Sequence, residues 1–232
     1  MTAAGVHRAS SGAAPVRTRA LPARGVTRMA WLYLISRRIP AALGLLIGVA
    51  AVLWASLYWR WNIVGGAAAL AVIPLTLEAA AAAVIAVTTY GPFGETERAT
   101  GRWLPYLRLS MAVVLTAAAV GALAAAAAGG QLPGGTLAML RNVAGLTGTG
   151  LLTSVAFGGA FGWAGPLAYL LITEGALAGT WTTPWMWPTR PPHDLGGALC
   201  AALVFAAGAA ASTVRGSRDH AVRLTRSRVH RS

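Results

Sequence analysis

Lysine is absent from this chain of 232 residues, in which all 19 basic side chains are arginine. A P-loop requires a lysine that reaches the phosphates of a bound nucleotide. The chain therefore carries no standard P-loop, and we expect that it is not itself an ATP-hydrolysing enzyme. We also expect no cofactor in this chain.

Cysteine occurs once, as Cys200 within an apolar run, and the chain has six acidic residues and four histidines. A single cysteine excludes an intrachain disulfide framework and a haem attachment site. The histidines are scattered and do not have metal-ligand spacing. We therefore expect no metal site, and a membrane enzyme is disfavoured because no His, Asp or Cys cluster is present for chemistry.

Charge is scarce throughout. Only 11% of the residues are charged, whereas a soluble domain carries about 25%. Hydrophobic residues make up 56% of the chain and the mean hydropathy is +0.60, which indicates an integral membrane protein. The net charge of +13 could suggest nucleic acid binding, but most arginines flank apolar runs. That pattern favours the lipid bilayer as partner, with no nucleic acid.

Six apolar runs approach the roughly 20 residues that are needed to cross about 30 Å of hydrocarbon. They predict an all-α integral membrane protein with six transmembrane helices, at approximately 40–59, 64–89, 107–128, 138–158, 163–179 and 196–214. The fourth and fifth spans depend on a turn in the glycine-rich stretch FGGAFGWAGP. Without that turn, the number of spans falls to five.

The flanking segments complete the predicted domain organisation. Residues 1–28 read as a disordered basic tail, 29–214 as the membrane domain and 215–232 as a second basic tail. Within the membrane domain, residues 30–38 predict an amphipathic elbow helix that lies along the membrane surface before the first span.

The distribution of arginine orients the six spans. Seven arginines precede residue 39, three lie at positions 98, 102 and 108, and six follow from residue 215 onward. An even number of spans places all of these on one side and leaves Arg60, Arg141 and Arg190 on the other. The positive-inside rule makes the arginine-rich side cytoplasmic, so both termini are predicted to be cytoplasmic.

The opposite side carries aromatic residues. The segment 178–195, AGTWTTPWMWPTRPPHDL, contains Trp181, Trp185 and Trp187 among four prolines. Tryptophan is enriched at membrane–water interfaces. We therefore expect an outer aromatic segment that dips into the headgroup region.

The loop after the second span is unusually charged. GPFGETERATGRWLP, residues 91–105, contains Glu95 and Glu97 followed by Arg98 and Arg102. Acids in a first turn and arginines toward its end complement a helix dipole. This order favours a short charged helix to which a cytoplasmic partner binds, and the simpler alternative is a solvated loop.

This layout resembles the transmembrane permease subunits of type-2 ATP-binding-cassette (ABC) transporters. The resemblance covers roughly residues 29–214 and includes the elbow, the six spans, the charged loop and the aromatic outer segment. The stretches GETERATGRWLPYLRL, RNVAGLTGTGLL and PWMWP also look like small bacterial permeases of this kind. One departure is that the outer loops are short, which leaves no large extracellular domain.

The resemblance implies a function and partners. The charged loop would be the coupling helix, with Glu95, Glu97, Arg98 and Arg102 in contact with a separate ATPase subunit that binds ATP and Mg. A second permease subunit, the same or a related chain, would complete a dimeric pathway. The chain would then be part of an exporter in a bacterial plasma membrane.

Two carboxylates lie within predicted spans. Glu78, in the second span, either lines the pathway or dimer interface or makes a structural hydrogen bond with Thr147, Thr149 or Asn142. Intramembrane carboxylates are costly and are candidate functional residues. Glu174, in the outer half of the fifth span, is either part of a gate ion pair with Arg60, Arg141 or Arg190 or an interfacial charge.

Span four has a glycine- and threonine-rich sequence, NVAGLTGTGLLTSVAFGG, which favours close helix packing over a substrate site. The leading alternative to the ABC function is a self-sufficient secondary transporter in which Glu78 is a proton-linked carboxylate. No convincing inverted repeat supports it.

Overall fold

A computed structural model describes residues 39–58, 66–89, 104–128, 130, 132, 134–179 and 183–215. This part of the chain is helical and contains no strand. The elbow at 30–38, the N-terminal tail, residues 216–232 of the C-terminal tail and residues 91–103 of the charged loop lie outside the described residues. The all-α class predicted from the sequence is therefore confirmed for the described part.

Six long helices follow the six apolar runs within these residues. They are α1 (Ile39–Tyr58), α2 (Gly66–Thr88), α3 (Leu104–Ala127), α4 (Gly135–Phe157), α5 (Ala164–Ala178) and α6 (Leu195–Arg215). Pro40 and Pro105 lie in the first turns of α1 and α3, where a missing N–H costs little. The sequence predicted a start near residue 107. Because Pro105 is tolerated in a first turn, α3 begins earlier, at Leu104.

The break between α4 and α5 forms where the glycines predicted it. Gly158 has a φ of 104°, which is unfavourable for residues with a Cβ. A short 3₁₀ helix follows at Gly159–Phe161, and α5 starts at Ala164. A second 3₁₀ helix, Trp187–Thr189, precedes α6.

Three stretches in the described part are long and apolar enough to cross a membrane: Ile39–Tyr58, Arg108–Ala127 and Leu195–Val214. The apolar stretch Val72–Thr88 of α2 is shorter. α5, with 15 residues, covers about 22 Å at 1.5 Å per residue, less than the roughly 30 Å of bilayer hydrocarbon. The chain thus has the helices of a membrane protein, and three of the six predicted spans meet the requirements for a span.

α2 and α4 run in parallel, because Glu78 pairs with Asn142 and Ala86 lies beside Gly150, eight residues further along each helix. α4 and α6 are parallel as well. Gly197 lies near Arg141 at one end of the pair, and Phe205 lies against Gly148 further along.

The other helices run against these three. Gly165 of α5 contacts Thr149 and Thr153 of α4, whereas Leu170, further along α5, packs with Leu146, which is nearer the start of α4. Ala112 near the start of α3 packs with Ala209 near the end of α6, and Leu57 at the end of α1 lies beside Gly130, which follows α3. Helices that follow each other in the sequence therefore alternate in direction. We call the end of the bundle that carries residues 183–194 the capped end, and these residues the cap segment.

α4 is the central helix, and three of its glycines admit three different neighbours. A Cβ on Gly148 would lie 2.6 Å from the Phe205 backbone of α6, and one on Gly150 would lie 2.6 Å from Ala86 of α2. A Cβ on Gly145 would meet the Trp187 ring of the cap segment at 2.6 Å. Since lipid removes most of the hydrophobic drive between helices, such close backbone contacts supply much of the packing energy in a bilayer. The glycine- and threonine-rich stretch of α4 therefore packs closely against its neighbours, as predicted.

Large apolar side chains point outward around the bundle. Examples on α1, α3, α5 and α6 are Leu45, Ile47, Val114, Leu171, Leu199 and Leu203, each at least 58% exposed. A soluble monomer rarely exposes so many large apolar groups together. This exterior is suited to hydrocarbon rather than water.

Candidate functional site

Glu78 of α2 and Asn142 of α4 form a buried polar pair. The Asn142 amide donates to Glu78 Oε2 at 2.9 Å, and the two residues are 5% and 7% exposed. Of the three hydrogen-bond partners that the sequence suggested for Glu78, the structure selects Asn142. Thr149 instead donates to the Leu146 carbonyl, and the hydroxyl of Thr147 is buried without a partner among the described residues.

Apolar side chains surround the polar pair. Leu75 and Ala79, on either side of Glu78 in α2, pack with Leu146 and Leu170, and Tyr169 lies against this cluster. Within the described part of the chain Glu78 makes no ion pair, and the side-chain oxygen of Asn142 has no partner. A carboxylate held by one neutral donor among apolar groups is suited to exchanging a proton or to receiving a further donor.

Arg141, next to Asn142, holds the cap segment. Its Nη1 donates to the Pro191 carbonyl at 2.8 Å and its Nη2 to the Arg190 carbonyl at 3.0 Å. The residue is only 6% exposed, and its Nε has no partner in the described region. A planar guanidinium can bind two adjacent carbonyls at once, which a lysine cannot do in the same geometry.

Trp187 enters the bundle from the cap segment. Its ring stacks on Tyr169 with centroids 4.3 Å apart and planes 15° from parallel, and the residue is 2% exposed. The Tyr169 hydroxyl donates to the Trp185 carbonyl at 2.5 Å. Met186 is also fully buried, so two consecutive cap residues enter the bundle.

Asp194 joins the cap segment to α6. It accepts from Arg190 at 3.0 and 3.1 Å, and its Oδ2 accepts the backbone N–H of Gly197 at 2.6 Å in the first turn of α6. The Arg190 hydrogen bonds, and after them the Gly197 N–H, hold the pKa of Asp194 below its usual value. The carboxylate is thus charged at neutral pH.

The remaining site residues from the sequence have different outcomes. For Glu174, the gate ion pair and the interfacial charge both stay predictions: Arg141 binds cap carbonyls and Arg190 binds Asp194, while Arg60 lies outside the described residues. Trp185 is 47% exposed, in agreement with an interfacial position, whereas Trp187 is buried in protein. Outside the described residues lie Trp181, Arg60, Glu95, Glu97, Arg98 and Arg102.

The sequence suggested Arg141 only as a partner of Glu174, and it did not indicate Tyr169 as part of the site. The sequence does contain a signal for Arg141, because an arginine in the second turn of an otherwise apolar helix must find acceptors. Its acceptors are backbone carbonyls 49 and 50 residues away, which no side-chain pattern reveals. Tyr169 carries no comparable signal.

No group of three or more potential metal ligands occurs among the described residues. Comparison of the chain with protein families, curated proteins and solved structures finds no match. The function is therefore argued from the chain's own residues.

Proposed function

We propose that the chain is the membrane-spanning permease subunit of an ABC exporter, with six spans and both termini in the cytoplasm. Two permease subunits would form the translocation pathway in a bacterial plasma membrane. A separate ATPase subunit, which binds ATP and Mg, would drive transport by docking on loop 91–105. Glu95, Glu97, Arg98 and Arg102 would make that contact.

One observation carries the proposal, namely that the charged segments all attach to one end of the bundle. α1 and α3 start, and α2 and α6 finish, at the end opposite the cap segment, as the contacts of Ala86 with Gly162 and of Ala112 with Ala209 indicate. These four helix ends lead to the segments that hold 16 of the 19 arginines. The positive-inside rule then makes this end cytoplasmic, where an ATPase works.

The short α5 and the polar α4 are compatible with this topology. α4 is largely buried in protein, so most of its polar side chains face other helices rather than lipid. α5 together with the preceding 3₁₀ turn extends over residues 159–178. A short span of this kind is accommodated by local thinning of the bilayer at a modest cost.

Charge reversal in the loop tests the proposal. The variant E95R/E97R should insert normally but lose the ATPase subunit on purification in mild detergent from the native host, and lose ATP-driven export. The matched control is D219R, which reverses one acid in the C-terminal tail. Retention of the ATPase and full export by E95R/E97R would remove the coupling role of the loop.

The second candidate is a secondary transporter, which is favoured by the buried Glu78, a carboxylate without an ion-pair partner in the described part of the chain. In that case an imposed proton gradient would drive substrate transport by the purified protein in vesicles without ATP. Glu78→Gln would abolish the pH dependence of that transport. For an ATP-driven permease, the same vesicles would be inactive until the ATPase subunit is added.

A further inference from the structure

The polar contacts of the cap segment fall into two groups. The bonds of Asp194 with Arg190 and Gly197 lie within the cap segment and the first turn of α6, so they persist if the segment moves with that turn. The hydrogen bonds that cross from the segment to the rest of the described bundle are those of Arg141 and Tyr169. Arg141 and Tyr169 thus join the cap segment to the described helices α4 and α5.

We propose that the cap segment is a gate at the capped end, which Arg141 latches shut by binding two of its backbone carbonyls. Because the acceptors are main-chain atoms of Arg190 and Pro191, the latch fixes the path of the backbone and not one side chain. Releasing it leaves two carbonyls and the Arg141 guanidinium, all at the capped end of the bundle, where water at the membrane surface can bind them. The latch can therefore open without leaving an unpaired polar group in hydrocarbon.

Gly145 is the socket of this gate. Trp187 lies so close to α4 that a Cβ at position 145 would come within 2.6 Å of ring atoms Cε2 and Cζ2 and 2.9 Å of Nε1. The indole N–H has no partner in the described structure, so shape and stacking on Tyr169 hold the ring. A ring that is held by shape and stacking can leave the space beside Gly145 without breaking a hydrogen bond of its own.

The gate borders the polar pair. Tyr169 carries Trp187 on its ring face and lies against the apolar cluster that contains Leu75 and Ala79, the residues that flank Glu78. Opening the cap segment would withdraw Trp187 from this layer and give the carboxylate access from the capped end. The gating role rests on the proposed membrane-transport function, whereas the opening itself is measured on the purified chain alone, without ATPase or substrate.

Cys200 is a native reporter of this opening. It is the single cysteine of the chain, is half-buried, and lies one helical turn after Gly197. A Cβ on Gly197 would be 3.4 Å from the Trp187 Cβ and 3.5 Å from Arg141 Nη1, so this face of α6 lies under the cap segment. The rate at which a charged methanethiosulfonate modifies Cys200 in lipid nanodiscs therefore reports on the gate.

Substitution of Arg141 tests the latch. Arg141→Met should raise the modification rate of Cys200 at least tenfold, and Arg141→Lys should give an intermediate rate, because lysine keeps the charge but not the two-carbonyl geometry. A rate for Arg141→Met equal to that of the unmodified chain would overturn the proposal. If Arg141→Lys matched the unmodified chain while Arg141→Met did not, charge alone would hold the segment, and the latch as described would be wrong.

The socket gives a second test that does not touch any charge. Gly145→Ala should raise the Cys200 rate several-fold, and adding Trp187→Phe, which removes the indole atoms that the new methyl group meets, should bring it back toward the original value. Gly121→Ala is the matched control, since nothing lies within 4 Å of a Cβ there. If Gly145→Ala only weakened the fold, Trp187→Phe would not restore the rate, and the socket would be refuted.

Discussion

The hydrogen bond between Glu78 and Asn142 should show strong coupling in a double-mutant cycle. Asn142→Leu removes the donor and leaves a buried carboxylate without a partner, and Glu78→Met leaves a buried amide. An orphaned buried polar group costs about 1–3 kcal/mol, whereas replacing both partners by apolar groups is close to neutral. We therefore expect each single variant to lose about 1–2 kcal/mol and the double variant to lose clearly less than the sum of the two.

Hydrogen bonds in other membrane proteins give a scale for this coupling energy. Hydrogen bonds between transmembrane helices contribute about 0.6 kcal/mol on average and about 1.7 kcal/mol at most in such cycles. The coupling energy should exceed this average here because both groups are more than nine-tenths buried and Glu78 has no ion-pair partner in the described structure.

Reversible unfolding in mixed micelles by increasing the fraction of SDS, followed by the helical circular dichroism signal, measures the free energy of unfolding for all four proteins. Additive losses, with a coupling energy near zero, would refute the reasoning. In that case the pair would contribute nothing beyond two independent side chains, and Asn142 could not be said to hold Glu78.

Two further predictions follow from the packing and from the cap. Gly148→Ala should destabilise the protein by about 1–3 kcal/mol in the same assay, since the new methyl group would meet the Phe205 backbone at 2.6 Å, while Gly44→Ala, with open space around it, should cost nothing. Asp194 has a folded-state pKa below its unfolded value of about 3.9, so the stability that it contributes is fully present above that value and is lost as pH falls through the folded pKa. The thermal midpoint should therefore be unchanged by this group between pH 7 and pH 5 and fall below about pH 4, and Asp194→Asn should remove the fall that is due to this carboxylate.

The helix boundaries could be predicted closely from the sequence because the residues that end a helix act locally. The first run was placed at 40–59 and the helix is Ile39–Tyr58, and the fifth was placed at 163–179 and the helix is Ala164–Ala178. Apolar runs end here at glycine, proline or arginine, and those residues act through the backbone of the same segment. Tertiary context therefore has little influence on these boundaries.

The site was harder to predict because it depends on contacts between segments far apart in sequence. Trp185 and Trp187 each lie between a proline and Met186 in the sequence, yet Trp185 is 47% exposed and Trp187 is 2% exposed. The turn that precedes the 3₁₀ helix decides which ring enters the bundle, and glycine at position 145 decides that there is room. Neither effect can be read from the aromatic pattern alone, which suggested headgroup contact for both rings.

α4 shows why the central helix of the bundle is less hydrophobic than the helices at its exterior. The stretches that meet the requirements for a span, in α1, α3 and α6, have only 22–33% of their most apolar window buried, so their composition reflects an exterior suited to lipid. α4 is longer than α1, at 23 residues, but carries Arg141, Asn142 and several glycines and threonines because protein surrounds it. Successive turns of α4 hold the cap segment, Glu78, Trp187 and α6. The residues that lower its hydropathy are thus the ones that assemble the bundle, so a low value in this helix reflects contact with protein.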